Sequence, residues 1–189
     1  MGLLGWLKKK DKGPDARLGA WRTDWMRALE DGGGPERVRA LAGSLDALGL
    51  AGDDVEIERE MLEGLEQIAA LRAAIAAGGL PVVTTGHKVV AQDACHFSAP
   101  VSMPDDPAQP GGRLILTNVR AIFVGSGRST SIPWHTVART SWSERDIVLV
   151  RPERETIDRF RCNSYGDALC GELIARQLSA AHRRGTGRV

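Results

Sequence analysis

"GGRLILTNVRAIFVG", residues 111–125, consists of two short apolar runs joined by a polar pair, with glycine at each end. In the first run Leu114 and Leu116 alternate with Ile115, and in the second Ile122 and Val124 alternate with Phe123. Such alternation belongs to strands, and Thr117-Asn118-Val119-Arg120 offers a turn in which Asn118 tolerates a left-handed backbone. The stretch therefore predicts a β-hairpin. Upstream, "HKVVAQ" and "ACHFSAPV" read as two strands, and "SMPDDPAQPGG" as a loop, since it carries three prolines, two aspartates and two glycines. Downstream, "GSGR" makes a further turn and "STSIPW", "TVARTSW", "DIVLVR" and "TIDRFRC" extend the series, for about seven short strands. The chain closes on "NSYGDALCGELIARQLSAAHRR", where Asn163 or Ser164 can cap a helix. Its Leu169, Leu173, Ile174 and Leu178 form one apolar face, suited to covering the open end of the strands.

The texture before residue 80 is different. Residues 1–13 join Leu3, Leu4, Trp6 and Leu7 to Lys8, Lys9 and Lys10, and read as a flexible amphipathic N-terminus. From Asp15 to Leu29, the apolar residues Leu18, Trp21, Trp25, Met26 and Leu29 recur at helical spacing until "DGGGP" interrupts them. Pro35 opens a second helical pattern carried by Val38, Leu41, Ala42, Leu45 and Leu48. A third begins after Asp53, has acids in its first turns, and buries Ile57, Met61, Leu65, Ile68, Leu71 and Ile75 before Gly78-Gly79. The expected organisation is an N-terminus (1–13), a helical segment (14–80), a β domain with its own C-terminal helix that folds alone (81–182), and a disordered basic tail (183–189).

The composition narrows the classes. No apolar run approaches the roughly 20 residues that span a bilayer, and the N-terminal cluster is too short for a signal-peptide core. Three cysteines, Cys95, Cys162 and Cys170, lack C-x-x-C spacing, which speaks against a disulfide framework and a structural zinc site and for a reducing cytoplasm. Net charge is +1. The first 80 residues are acidic and the remainder mildly basic, a weak footprint for nucleic acid.

The run from "GGRLILTNVRAIFVG" through "TSIPWHTVARTSW" to "DIVLV" and "DRFRC" resembles bacterial pleckstrin-homology-like and GRAM-like domains. Gly112, Leu116, Thr117, Arg120, Phe123, Ile132 and Pro133 stand where that pattern has its residues. The resemblance covers roughly residues 80–181. It implies an α+β chain whose second part is a bent antiparallel β-barrel capped by the final helix, and a docking role toward phosphoinositide headgroups or protein segments. Headgroup binding calls for clustered Lys and Arg on the first two strands, but between His87 and Val101 only Lys88 is cationic. Protein or peptide docking is the better fit, with Trp134, His135, Arg139 and Arg120 as candidate contacts. No cofactor and no metal are expected, and a homo-oligomer is possible.

Chemistry has fewer signals. Asp93, Cys95 and His96 lie close in sequence, yet strand geometry sends Cys95 and His96 to opposite faces unless a bulge intervenes. A hydrolase or metal-dependent enzyme built on Cys95, His96 and His135 is the rival reading. "GSGRSTS" lacks phosphate-loop spacing, and the four histidines have no ligand spacing. Trp134 and Trp142, eight apart, would share a face of a continuous strand, as core or as an exposed anchor. The N-terminal Trp6, leucines and Lys8–Lys10 could give weak attachment to an anionic inner-membrane face.

Overall fold

The computed structural model describes residues 14–108, 110–151 and 156–186. Three helices come first: α1 (Pro14–Glu30), α2 (Pro35–Asp46) and α3 (Glu56–Gly78). Their apolar stripes meet as the spacing requires. Leu18, Trp21, Trp25 and Leu29 of α1 are buried against Val38, Leu41 and Leu45 of α2 and Met61, Leu65 and Ile68 of α3. The two indoles do more than fill space. Trp21 Nε1 donates to Leu41 O at 3.0 Å and Trp25 Nε1 to Met61 O at 2.7 Å, so each buried N–H is satisfied by a neighbouring helix. Met26 and Ile57, both assigned to the buried stripes by spacing, are instead 39% and 46% exposed.

Seven strands follow: β1 (Cys95–Ser102), β2 (Gly111–Thr117), β3 (Arg120–Gly125), β4 (Arg128–Pro133), β5 (Arg139–Ser143), β6 (Asp146–Arg151) and β7 (Thr156–Cys162), before the helix α4 (Tyr165–Thr186). The pairings are antiparallel and give the order β4-β3-β2-β1-β7-β6-β5. The hairpin of residues 111–125 is β2–β3. Its turn differs from the expected one, because Asn118 is not left-handed. Thr117 Oγ1 instead accepts from the amides of Val119 and Arg120, and Asn118 spends its side chain on the Ala94 amide.

The expected barrel is not formed. β4 and β5 are the two ends of an open sheet and do not pair with each other. The bend falls at β1, which pairs with β2 along its length but with β7 only at Val101 and Ser102. Between the two end strands the chain makes a 3₁₀ turn at Trp134–Thr136, and the Trp134 side chain, fully buried, fills the corner that strand pairing would have closed. This also dissolves the shared face expected for Trp134 and Trp142. Period-2 alternation requires an unbroken strand, and here the turn separates them, placing Trp134 in the β core and Trp142 against the helices.

"HKVVAQ" is likewise not a strand. Lys88–Val90 is a 3₁₀ turn that folds over the outer face of β2 and β3, inserting Val90 beside Cys95, Ile115 and Ile122. β2 is therefore covered on both faces, which is why Ile115 is as apolar as its neighbours.

α4 belongs to two cores at once. Ala168, Ile174, Ala175 and Leu178 close the sheet, whose interior holds Phe97, Leu114, Phe123, Leu149 and Phe160. Leu169 and Leu173, expected on that same face, pack instead with α1, α2 and α3. At the α3–α4 crossing a Cβ on Gly64 would meet the Gly166 nitrogen at 3.0 Å, so glycine lets the two backbones touch. The helix continues to Thr186, through the first residues of the expected tail, and Arg183 Nη1 donates to Ala138 O at 2.8 Å. No helix among the described residues is long and apolar enough to cross a membrane.

Burial pushes the Cys162 thiol from 9.0 up to about 12, helped by the negative charges of Asp167 and Asp146. An acid whose folded pKa is raised stabilises the fold fully below its unfolded pKa, and that contribution is lost as pH rises through the folded value. Urea unfolding should therefore show stability falling above pH 9, by about 1.4 kcal/mol per pH unit for this group. Cys170, raised to about 11 by burial, adds to the slope. Cys162→Ala is expected to flatten the pH dependence; an unchanged slope would show that the thiol ionises freely in the folded protein.

Candidate docking site

The residues singled out by sequence fall in different places. Trp134 is 0% exposed, with Nε1 donating to Thr117 O at 2.8 Å. It is a core residue and cannot anchor a partner. Arg120 is also engaged: its Nε donates to Asp93 at 3.2 Å and its Nη2 reaches Val89 O, tying the 88–93 turn to the hairpin. His135, in the 134–136 turn, and Arg139, at the start of β5, are both exposed. Arg139 makes no ion pair among the described residues. Leu3, Leu4, Trp6, Leu7 and Lys8–Lys10 lie outside the described residues.

The enzyme triplet does not assemble. A β-bulge does interrupt β1 between Cys95 and Phe97, the one device that could have brought Cys95 and His96 together. It turns Cys95 outward beneath Val90 and Phe97 inward into the main core. Cys95 is buried and its thiol raised by desolvation, which disfavours the nucleophilic thiolate. His96 donates from Nδ1 to Pro81 O at 2.8 Å, and His135 sits exposed in the 134–136 turn. Among the described residues no group of three or more His, Cys, Asp and Glu could hold a metal ion.

The structure does assemble a groove along β5. Thr140, Ser141 and Trp142 form one wall of a depression of about 480 Å³, with Met26, Leu29 and Glu30 of α1 opposite and Ile68 and Leu169 beneath. β5 and β6 are joined by the two-residue turn Glu144-Arg145, with Ser143 opposite Asp146. In such a hairpin the residues flanking the turn exchange hydrogen bonds, and pairs alternate from there. Ser141 and Ser143 therefore direct their backbone groups toward β6, while Thr140 and Trp142 direct theirs outward. No described residue takes those outward groups.

The groove's walls are fixed. Trp142 packs edge-on to Trp25 with ring centroids 6.0 Å apart, and Tyr165 meets the same indole at 6.2 Å. Arg145 Nε donates to Glu60 Oε1 at 2.9 Å while Glu60 also accepts the Tyr165 amide, clamping the β5–β6 turn to α3. Arg72 caps Leu29 O at the end of α1. Thr140 Oγ1 donates to Glu172 at 2.8 Å, joining β5 to α4. Met26, Leu29, Arg72 and Arg176 escaped the sequence reading because they come from segments distant in the chain. Only the mismatch of Met26, an apolar residue at the border of its stripe, could have hinted at a surface role.

No family model and no curated protein matches the chain. Among solved structures, it is similar to the C-terminal domain of an unknown protein from Leishmania infantum at 13% identity and a TM-score of 0.41, over 48% of this chain and 88% of that one. It is similar to Inner Membrane Complex Sub-compartment Protein 3 from Toxoplasma gondii at 8% identity and a TM-score of 0.38, over 46% and 77%. Similarity to the DH/PH domains of p115-RhoGEF covers 87% of this chain and 55% of that one, at 5% identity and a TM-score of 0.43.

Proposed function

We propose that the protein is a non-enzymatic docking module of pleckstrin-homology-like design that takes up an extended segment of a partner protein by strand addition to β5. The observation that carries the reading is the outward backbone of Thr140 and Trp142 along a walled groove whose lining mixes apolar with polar and charged side chains. An open strand edge supplies affinity through main-chain hydrogen bonds, and side-chain pockets beside it supply selectivity. Such an edge is an aggregation hazard unless something guards or uses it. Here α1 and α4 flank the edge, and Arg183 of α4 takes the carbonyls of Val137 and Ala138 just before it. The thiols add no competing chemistry, because burial keeps all three cysteines protonated at neutral pH.

Thr140 allows a direct test, because proline at an outward-facing edge position removes an N–H that makes no ladder bond. Peptides selected from a random decapeptide library on the full chain should bind Thr140→Val, which loses only the hydroxyl to Glu172. They should not bind Thr140→Pro. Equal binding to both variants, with both folded by circular dichroism, would exclude strand addition at β5.

A further inference from the structure

The two ends of the β5 groove differ in charge, and this difference assigns a partner chemistry. At the start of the strand Arg139 is exposed and, among the described residues, makes no ion pair, and His135 is exposed in the turn that precedes it. From α4, Arg176 lines the groove and Arg183 is held against Val137 O and Ala138 O, immediately before β5 begins. Glu172 lies among them, but its side chain is 8% exposed and already occupied by Thr140 and, at 3.8 Å, by Arg176. At the far end the strand runs into Glu144, an exposed acid held at a φ of 55° in the turn, while the arginines around it, Arg22, Arg145 and Arg161, are each paired with a carboxylate of their own, Glu58, Glu60 and Asp146. The helix dipole accounts for basic residues in the last turn of α4, but not for Arg176 further up the helix or for Arg139 on the strand. Five strand residues at about 3.4 Å each separate the two ends by roughly 17 Å, longer than a Debye length at physiological salt, so a bound segment senses them separately.

We infer that the segment docked on β5 is acidic at its C-terminal end, with apolar residues ahead of the acids. The inference rests on the strand-addition reading. A strand added antiparallel to the edge runs opposite to β5, so its C-terminal half lies between Arg139 on one face of β5 and Arg176 on the face of Thr140. Its N-terminal half then lies beside Trp142 and the α1 wall, where Met26 and Leu29 offer apolar surface and Glu30 adds a second carboxylate that disfavours acids. Carboxylates placed at that end would face Glu144, and like charges brought together disfavour the reverse orientation. The site thus selects both composition and direction.

Two fluorescent peptides of equal composition test this on the full chain: Thr-Leu-Thr-Val-Thr-Ser-Glu-Glu-Glu, and its reversed sequence with the glutamates first. By fluorescence anisotropy the acid-last peptide is expected to bind about tenfold more tightly, from two or three exposed charge pairs each of modest worth. The preference should shrink as salt rises from about 0.05 M to about 1 M, since screening acts on exposed charges. It should vanish in the double variant Arg139→Glu/Arg176→Glu, with unchanged thermal unfolding showing that the fold is intact. Equal affinity for both peptides, insensitive to salt, would overturn the acidic assignment while leaving strand docking in place. Tighter binding of the acid-first peptide would overturn the orientation. Absence of binding by either peptide, together with failure of the library selection, would overturn both readings.

Discussion

Trp134→Ala is expected to lower the unfolding free energy by about 3–5 kcal/mol, the range seen when a large buried aromatic is truncated. Two effects add. The indole is fully buried in the β core, so its removal leaves a cavity at the corner where the sheet fails to close. The carbonyl of Thr117, which accepts the indole N–H at 2.8 Å, also loses its partner. Because Thr117 ends β2, the loss should spread to the hairpin, and Trp134→Phe should recover part of the packing but not the hydrogen bond. Urea denaturation of the three proteins measures this directly. A shift below about 1 kcal/mol for Trp134→Ala would be the value of a surface residue and would return Trp134 to the list of partner contacts.

Leu173→Asp is expected to cost upward of about 3 kcal/mol, because an uncompensated carboxylate would be buried. The location of the damage is the informative part. Leu173 belongs to the cluster of Trp25, Met61 and Leu65, not to that of the sheet interior. Amide exchange should therefore accelerate first in α1 and α2, with the β2 amides at Leu114–Leu116 following only as α4 loosens. Faster exchange in β2 with α1 unaffected would place Leu173 beneath the β domain, as its spacing alone suggests. The sharing of α4 also bears on the boundary near residue 80. A chain beginning there would uncover Leu169, Leu173, Trp142 and Tyr165, all of which pack with the N-terminal helices.

Much of this architecture is legible in local pattern. The apolar spacing of α1, α2 and α3 is helical, Gly79 ends α3 at a φ of 84°, and the alternation in residues 111–125 is that of a hairpin. What local pattern cannot report is which surface an apolar residue meets. At about 100° per residue Leu169 and Leu173 share one side of α4, whereas Leu178 lies about 180° from the first and about 140° from the second, so the residues serve two sides of a helix wedged between two partners. Val89 and Val90 have strand propensity, but the left-handed backbone of Ala91, with φ 53°, ends the segment as a turn. Closure of the sheet was equally invisible, since it depends on whether two strands far apart in the order reach one another.

The candidate site follows the same logic. The exposure of His135 and Arg139 is legible in the sequence, because a polar residue in a turn and an arginine at a strand end are surface signatures. Trp134 was not, because a tryptophan in a turn is anchor or core according to tertiary contacts alone. The groove requires α1, α3, α4 and β5 together, and no single segment carries its outline.

The central claim, that β5 is a docking edge, is tested most directly by residue-resolved amide hydrogen exchange on the full chain with and without the acid-last peptide. Strand addition predicts that the outward amides of Thr140 and Trp142 become protected, with those of Ser141 and Ser143, already bonded to β6, little changed. Protection at β4 or along the 88–98 segment, with Thr140 and Trp142 exchanging as before, would contradict it.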